Sequence, residues 1–362
     1  MQKKRLKKIL SIVGARPQFI KLGPLDRALK KRYRHVIVHT GQHYDFLMSR
    51  VFFKDLGLPK PKYDLGIGSG DHGEQTGKML IRLETVLKKE EPDLIIVYGD
   101  TNSTLAGALA AAKLRIPLAH VEGGMRSFNW EMPEEVNRVT TDHVAAIHFC
   151  PTLAAARNLR REGINAGVHI VGDIMIDALR DTAQSPSVFP KMQKGFGIHK
   201  RSYGVLTIHR AGNTDDRDKL TNLVLALRKA DFPIIFPVHP RTRKMLRKFG
   251  LMNKIRSNQL HLIEPLDYKS MVDLVREAKV ILTDSGGLQK EAYFLFVPCI
   301  TLREETEWTE TVQEGWNTLV GTDPRTISKA LKNIRRPIVH RNSYGDGRAA
   351  EKIVRVIIKC LR

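Results

Sequence analysis

The chain has 362 residues, 42% of them hydrophobic, with no apolar run near the about 20 residues of a membrane span. Its formal net charge is +22, from 60 basic and 38 acidic residues. The basic residues lie in short scattered runs with no zinc finger, ribonucleoprotein motif or basic-aromatic array. The surplus therefore reads as a solvated basic surface that attracts an anionic small molecule, and nucleic acid is not expected as a partner.

The basic stretch 2–8 leads into K-I-L-S-I-V-G at 8–14. No small-x-small cleavage site follows, so this is read as a first strand rather than a signal peptide. Gly14-Ala15-Arg16-Pro17 turns the chain into a helix that runs to about Lys31, with Pro17 in its first turn. A strand is expected at 35–39, a helix at 44–56, a glycine-rich loop at 66–73 and a helix at 76–89. D-L-I-I-V-Y at 93–98 is a fully buried strand, and an Ala-rich helix follows at 101–114. Short strands at 118–121, 146–150 and 168–171 alternate with helical stretches.

Residues 184–202 lose this periodicity to Pro, Gly and charge, and are read as a linker. The alternation then restarts, with strands at 205–208, 234–238, 261–263, 280–283 and 299–302 and helices between them. A last helix at 348–361 follows Gly345-Asp346-Gly347. Buried strands alternating with helices predict parallel sheets in two Rossmann-like domains of an α/β protein. The expected divisions are 1–183, a linker at 184–202, 203–345, and a terminal segment at 346–362 packing on the first domain. Cys150, Cys299 and Cys360 are far apart with no C-x-x-C. That argues against structural zinc and for a reducing, cytoplasmic compartment.

In open parallel sheets, ligands sit beyond the carboxyl ends of the strands. After the first strand come Arg16 and Lys21, suited to phosphate oxygens. After the third apolar strand comes Asp100, either a functional acid or the N-cap of the Ala-rich helix. After the next comes Glu122-Gly123-Gly124. Glu134 and Glu135 open a helix, where the dipole favours acids, and Arg138 lies one turn beyond Glu134. In the second half, strands end at His209-Arg210, at His239 and at Asp284-Ser285-Gly286-Gly287. The last of these is suited to a diphosphate, with Glu291 further along the helix for ribose hydroxyls. His35, His39 and His43 are spaced by four, but the first two fall on a strand, so no metal site is expected. G-E-Q-T-G-K at 73–78 has the wrong spacing for a P-loop, and the first strand-helix turn lacks G-x-G-x-x-G.

These residues together resemble one family. G-A-R-P-Q-F-I-K, T-G-Q-H-Y, Y-G-D-T-N-S-T-L-A-G, H-V-E-G-G-M-R-S, P-E-E-V-N-R, T-I-H-R, P-V-H-P, T-D-S-G-G-L-Q-K-E-A and G-D-G-R-A-A-E-K-I are similar, in order, to the non-hydrolysing UDP-N-acetylglucosamine 2-epimerases. The resemblance implies the GT-B fold, a homodimer, and interconversion of UDP-GlcNAc and UDP-ManNAc with no cofactor. It places Asp100, Glu122, Glu134, Arg138 and His209 at catalytic positions. It places Arg16, Lys21, His209, Ser285, Gly286, Gly287 and Glu291 at UDP-contacting positions. Gln42, His43, Gln75, Arg210 and His239 fall near a second, allosteric UDP-GlcNAc site. The sequence departs from the family's T-E-R-P-E at Thr306-Glu307-Trp308-Thr309-Glu310, where Trp308 replaces an arginine. There it resembles relatives acting on UDP-2,3-diacetamido-glucuronic acid, so a modified UDP-sugar is the alternative substrate. A GT-B glycosyltransferase is the alternative of another class, disfavoured by the three acids.

Overall fold

In a computed structural model, residues 6–42, 57–255 and 259–361 are described. The chain divides into two compact units, the first running to Arg180 and resuming at Tyr344, the second Asp181–Ser343.

The first unit is built on a seven-stranded parallel sheet. Its strands are β1 (Lys8–Val13), β2 (Arg34–His39), β3 (Tyr63–Asp64), β4 (Leu94–Tyr98), β5 (Leu118–Val121), β6 (Ile147–Cys150) and β7 (Val168–Ile170), in the order β3-β2-β1-β4-β5-β6-β7. The helices are α1 (Arg16–Leu29), α2 (His72–Glu90), α3 (Asn102–Lys113), α4 (Pro133–Val144), α5 (Leu153–Arg161) and α6 (Ile174–Gln184). β1 and β4 are buried along their whole length, because helices cover both faces of the sheet. One face buries Ile9, Phe19, Leu22 and Ile96; the other buries Leu10, Met79, Leu83 and Val97.

The second unit holds a six-stranded parallel sheet in the order β10-β9-β8-β11-β12-β13. The strands are β8 (Gly204–Thr207), β9 (Ile234–Pro237), β10 (Leu260–Ile263), β11 (Val280–Thr283), β12 (Cys299–Thr301) and β13 (Asn317–Leu319). Its helices are α7 (Phe189–Phe196), α8 (Ala211–Thr214), α9 (Arg217–Leu227), α10 (Pro240–Lys248), α11 (Met252–Ile255), α12 (Tyr268–Arg276), α13 (Gly286–Phe294), α14 (Thr309–Gln313) and α15 (Pro324–Lys332). The last helix, α16 (Ala349–Cys360), belongs to the first unit. Ile353, Val354 and Ile357 join the core beside Leu22 and Leu25, and the Asp177 carboxylate accepts from the amides of Ala349 and Ala350 at 3.0 and 2.9 Å.

One expectation is corrected. Residues 184–202 are not an open linker. They contain α7, whose Phe189 and Met192 are buried with Tyr203 and Leu274 in the core of the second unit. The Pro and Gly that break the periodicity there are helix punctuation: Pro190 lies in the first turn and Gly197 closes the end at φ 63°. The helix expected at 44–56 lies outside the described residues. In both sheets the strand order reverses once, between β1 and β4 and between β8 and β11. Such a reversal opens a crevice at the carboxyl edge.

Candidate active site

At the reversal in the first unit, the turns after β1, β4 and β5 are cross-tied. Gln18, buried in the first turn of α1, accepts from the Gly14 and Ala15 amides at 2.7 and 3.0 Å and donates to Tyr98 O at 2.8 Å. Asp100 is not the cap of α3. Thr101 is, its hydroxyl accepting from the Thr104 amide. The Asp100 carboxylate instead accepts from Arg138 Nε and Nη2 at 3.0 and 2.6 Å.

Arg138, one turn beyond Glu134, pairs instead with the neighbouring acid. Its Nη1 donates to Glu135 at 2.9 Å, and Glu134 is exposed. Glu135 is buried and also accepts from the Ser127 and Phe128 amides, both at 2.9 Å. Burial alone would raise its carboxyl; those amides and Arg138 more than reverse this and hold it below the usual carboxylate range.

Glu122 follows β5 directly. Its φ is 75°, a left-handed conformation that costs an L-residue about 1–2 kcal/mol. Its amide donates to Phe149 O at 3.0 Å, and its carboxylate meets the ammonium of Lys21. Lys21, expected on a phosphate, is thus buried against an acid, which supplies the counter-charge that a desolvated ammonium requires. Gly124 must be glycine twice over: its φ is 79°, and a Cβ would strike the Ala155 carbonyl.

In the second unit the reversal lies between His209 and Asp284. Asp284 is fully buried. It accepts from the His209 amide at 3.1 Å, the Arg210 amide at 3.0 Å and Asn213 Nδ2 at 3.2 Å, and it lies 3.2 Å from His209 Nδ1. Burial would raise its carboxyl, but the His209 contact and these amides hold it low. The ring of His209 stays 41% exposed, 5.8 Å from the ring of His239.

Ser285 stands at the N-cap of α13, and Gly286 and Gly287 form its first turn. Glu291 is half-buried on the same helix, and Arg16 is exposed at the start of α1. A Cβ at Gly286 would meet Glu307 and Trp308, so the loop carrying both lies against that turn. Trp308 is buried with Lys290 Nζ 4.0 Å from its ring centre, a cation–π contact. Glu307 pairs with Arg303 at 2.9 Å and Arg210 at 3.7 Å.

Of the residues expected near a second site, Gln42 and Gln75 each bond the first turn of α3. Gln42 accepts from Ser103 N and Oγ at 3.0 and 2.6 Å, and Gln75 accepts from Asn102 at 2.8 Å. Arg210 and His239 belong to the second unit. His43 lies outside the described residues. Among the described residues, no group of three or more His, Cys, Asp or Glu is placed to hold a metal ion, and no helix is long and apolar enough to cross a membrane.

Sequence reasoning missed Gln18, Glu135 and the anchoring role of Asp284. Glu135 carried a usable signal, since i,i+3 spacing reaches Arg138 as well as i,i+4 does.

Two linked parallel sheets, each with its polar residues gathered at one strand-order reversal, define a nucleotide-type α/β enzyme. Residues 27–358 match the UDP-N-acetylglucosamine 2-epimerase family. The "UDP-N-acetylglucosamine 2-epimerase homolog" of Methanococcus maripaludis is 52% identical over 97% of this chain and 99% of its own. The UDP-2,3-diacetamido-2,3-dideoxy-D-glucuronate 2-epimerase of Pseudomonas aeruginosa is 44% identical over 97% and 99%. The crystal structure of Methanocaldococcus jannaschii UDP-GlcNAc 2-epimerase in complex with UDP-GlcNAc and UDP matches with a TM-score of 0.86 at 46% identity, covering 97% of this chain and 99% of that one. The chain therefore belongs to the UDP-N-acetylglucosamine 2-epimerase family, with the GT-B fold of that family, and is an isomerase.

Proposed function

We propose that the protein inverts C2 of a UDP-sugar, interconverting UDP-GlcNAc and UDP-ManNAc, as a homodimer in the cytoplasm. The observation that carries this reading is the pair of carboxylates at adjacent strand ends, Asp100 and Glu122, each matched to its own cation. The C2 hydrogen of an N-acetyl sugar has no neighbouring carbonyl, so direct deprotonation is unfavourable. Elimination removes that obstacle. A carboxylate takes the C2 proton as the C1–O bond breaks and UDP leaves with the bonding pair, giving a 2-acetamidoglycal. UDP then adds back to C1 while a proton is delivered to the opposite face of C2. No electrons are gained or lost, so no redox cofactor is needed.

The first unit supplies the proton chemistry through Asp100, Glu122 and Glu134, with Arg138 holding Asp100. The second supplies the leaving group's environment: His209 and the Ser285-Gly286-Gly287 turn at the N-terminus of α13 stabilise the departing diphosphate, and Glu291 takes ribose hydroxyls. Arg16 adds a cation for the phosphates. Gln42, His43 and Gln75 of the first unit, and Arg210 and His239 of the second, are the candidates for regulation by UDP-GlcNAc.

A second substrate is favoured by one observation. Trp308 is packed under Lys290 where the family pattern has arginine, and a relative at 44% identity is named for UDP-2,3-diacetamido-2,3-dideoxy-D-glucuronate. Incubation of each nucleotide sugar in D2O decides between them. The true substrate acquires deuterium at C2 in both epimers. Absence of exchange and of UDP-ManNAc removes UDP-GlcNAc as the substrate.

A further inference from the structure

We propose that His120 and Asp142 are positioning residues that lock the turn carrying Asp100 to the turn carrying Glu122. The inference rests on the C2 chemistry above and assigns the couple no contact with substrate.

His120 lies in β5, two residues before Glu122, and its side chain is fully buried. Its Nε2 is 2.8 Å from Gly99 O, and Gly99 precedes Asp100. A carbonyl oxygen only accepts, so Nε2 carries a proton and donates. The other ring nitrogen, Nδ1, is 2.7 Å from Asp142 Oδ1. One imidazole therefore spans from the first acid's turn to Asp142.

The other oxygen of Asp142 reaches the second acid's turn. Oδ2 accepts from the Gly124 amide at 3.0 Å and from Arg126 Nη1 at 2.7 Å. Arg126 is fixed in turn by Glu162, at 2.7 Å from both Nε and Nη2, and by Met125 O at 2.7 Å. Gly123 lets Asp142 approach closely, since a Cβ there would be 3.1 Å from Oδ1. Burial alone would raise the Asp142 carboxyl, but His120 and Arg126 more than reverse that and bring it to about 2. His148 Nε2 donates to Asp142 O at 2.8 Å, pinning the end of α4 to β6.

Helix α4 completes the device. Arg138 and Asp142 are four residues apart, so they project from the same side of the helix. Arg138 grips Asp100 directly, while Asp142 grips the backbone after Glu122. A single rigid helix thus sets both acids, and His120 closes the bracket from the sheet side. Stability alone does not call for this arrangement, because buried ion pairs are often matched or surpassed by apolar replacements. What the network supplies is a fixed placement for a strained Glu122.

The test compares Asp142→Asn, His120→Gln and His120→Asn with the wild type. Expected is a loss of about 100-fold in kcat, the scale of an about 1 Å misplacement, with KM and UDP affinity within about threefold of wild type. Hydrogen–deuterium exchange should rise in the peptides spanning 97–104 and 120–128 and stay unchanged in β1 and β8. The Gln variant keeps a donor for Gly99 and the Asn variant one for Asp142, so each loosens mainly the opposite turn. Wild-type kcat, equal losses in kcat and UDP affinity, or wild-type protection of both turns would overturn the proposal. If Asp142→Asn does not fold, the two His120 variants carry the test. Exchange is read without substrate, so wild-type inactivity on UDP-GlcNAc refutes the substrate reading and leaves this inference separately decided.

Discussion

The two strand-order reversals are alike in topology and opposite in how they treat charge. In the first unit, side-chain cations meet side-chain acids: Lys21 with Glu122, Arg138 with Asp100 and Glu135, Arg126 with Asp142 and Glu162. In the second, one buried acid, Asp284, gathers the backbone amides of His209 and Arg210 and leaves the His209 ring half-exposed. The first arrangement fixes where acids stand. The second fixes the shape of a turn through its backbone. In the proposed reaction the first edge moves a proton and the second holds the leaving group.

Glu122→Gln breaks the comparison most sharply. It keeps size and shape but removes the proton acceptor, so kcat should fall by about 1,000-fold while UDP affinity stays within about threefold. Parallel loss of UDP binding in titration calorimetry would show that the two edges are not separable.

Asp284→Asn acts on the other edge. Weakening a buried charge-assisted network should cost about 2 kcal/mol of stability in denaturant unfolding and raise KM about tenfold. The pH dependence has a definite sign. Because the folded-state carboxyl is held low, its contribution is present above the ordinary carboxylate range and is lost as pH falls through the folded value. The stability gap between wild type and variant should therefore shrink below about pH 4. A gap that widens in acid would refute the assignment.

Thr101→Ala is the smallest test. Thr101, not Asp100, caps α3, so its removal should cost about 1 kcal/mol. Asp100→Asn should leave melting nearer to wild type while lowering kcat more. The reverse ranking would return Asp100 to a capping role.

Much of this was legible in the chain. Buried runs such as 93–98 announced parallel strands, and acids following them pointed to the carboxyl edge. What was not legible was partnership. Asp100 and Thr101 are both good caps by residue type, and only backbone geometry selects Thr101. Glu134 and Glu135 both lie within reach of Arg138, and burial selects Glu135. The 184–202 stretch was misread because a short helix bounded by Pro and Gly shows too few turns for periodicity. His120 and Asp142 gave no signal of their coupling, since a pair 22 residues apart is joined only when β5 and α4 pack.

Helix α16 carries a consequence for biosynthesis. The core of the first unit combines Leu22, Leu25 and Ile174 with Ile353 and Ile357, which the ribosome makes only after the whole second unit. The nascent chain therefore carries a first unit with an uncovered apolar groove throughout that interval, and final closure is a long-range step that waits for α16. The second unit, whose core comes from one continuous stretch, has no such delay.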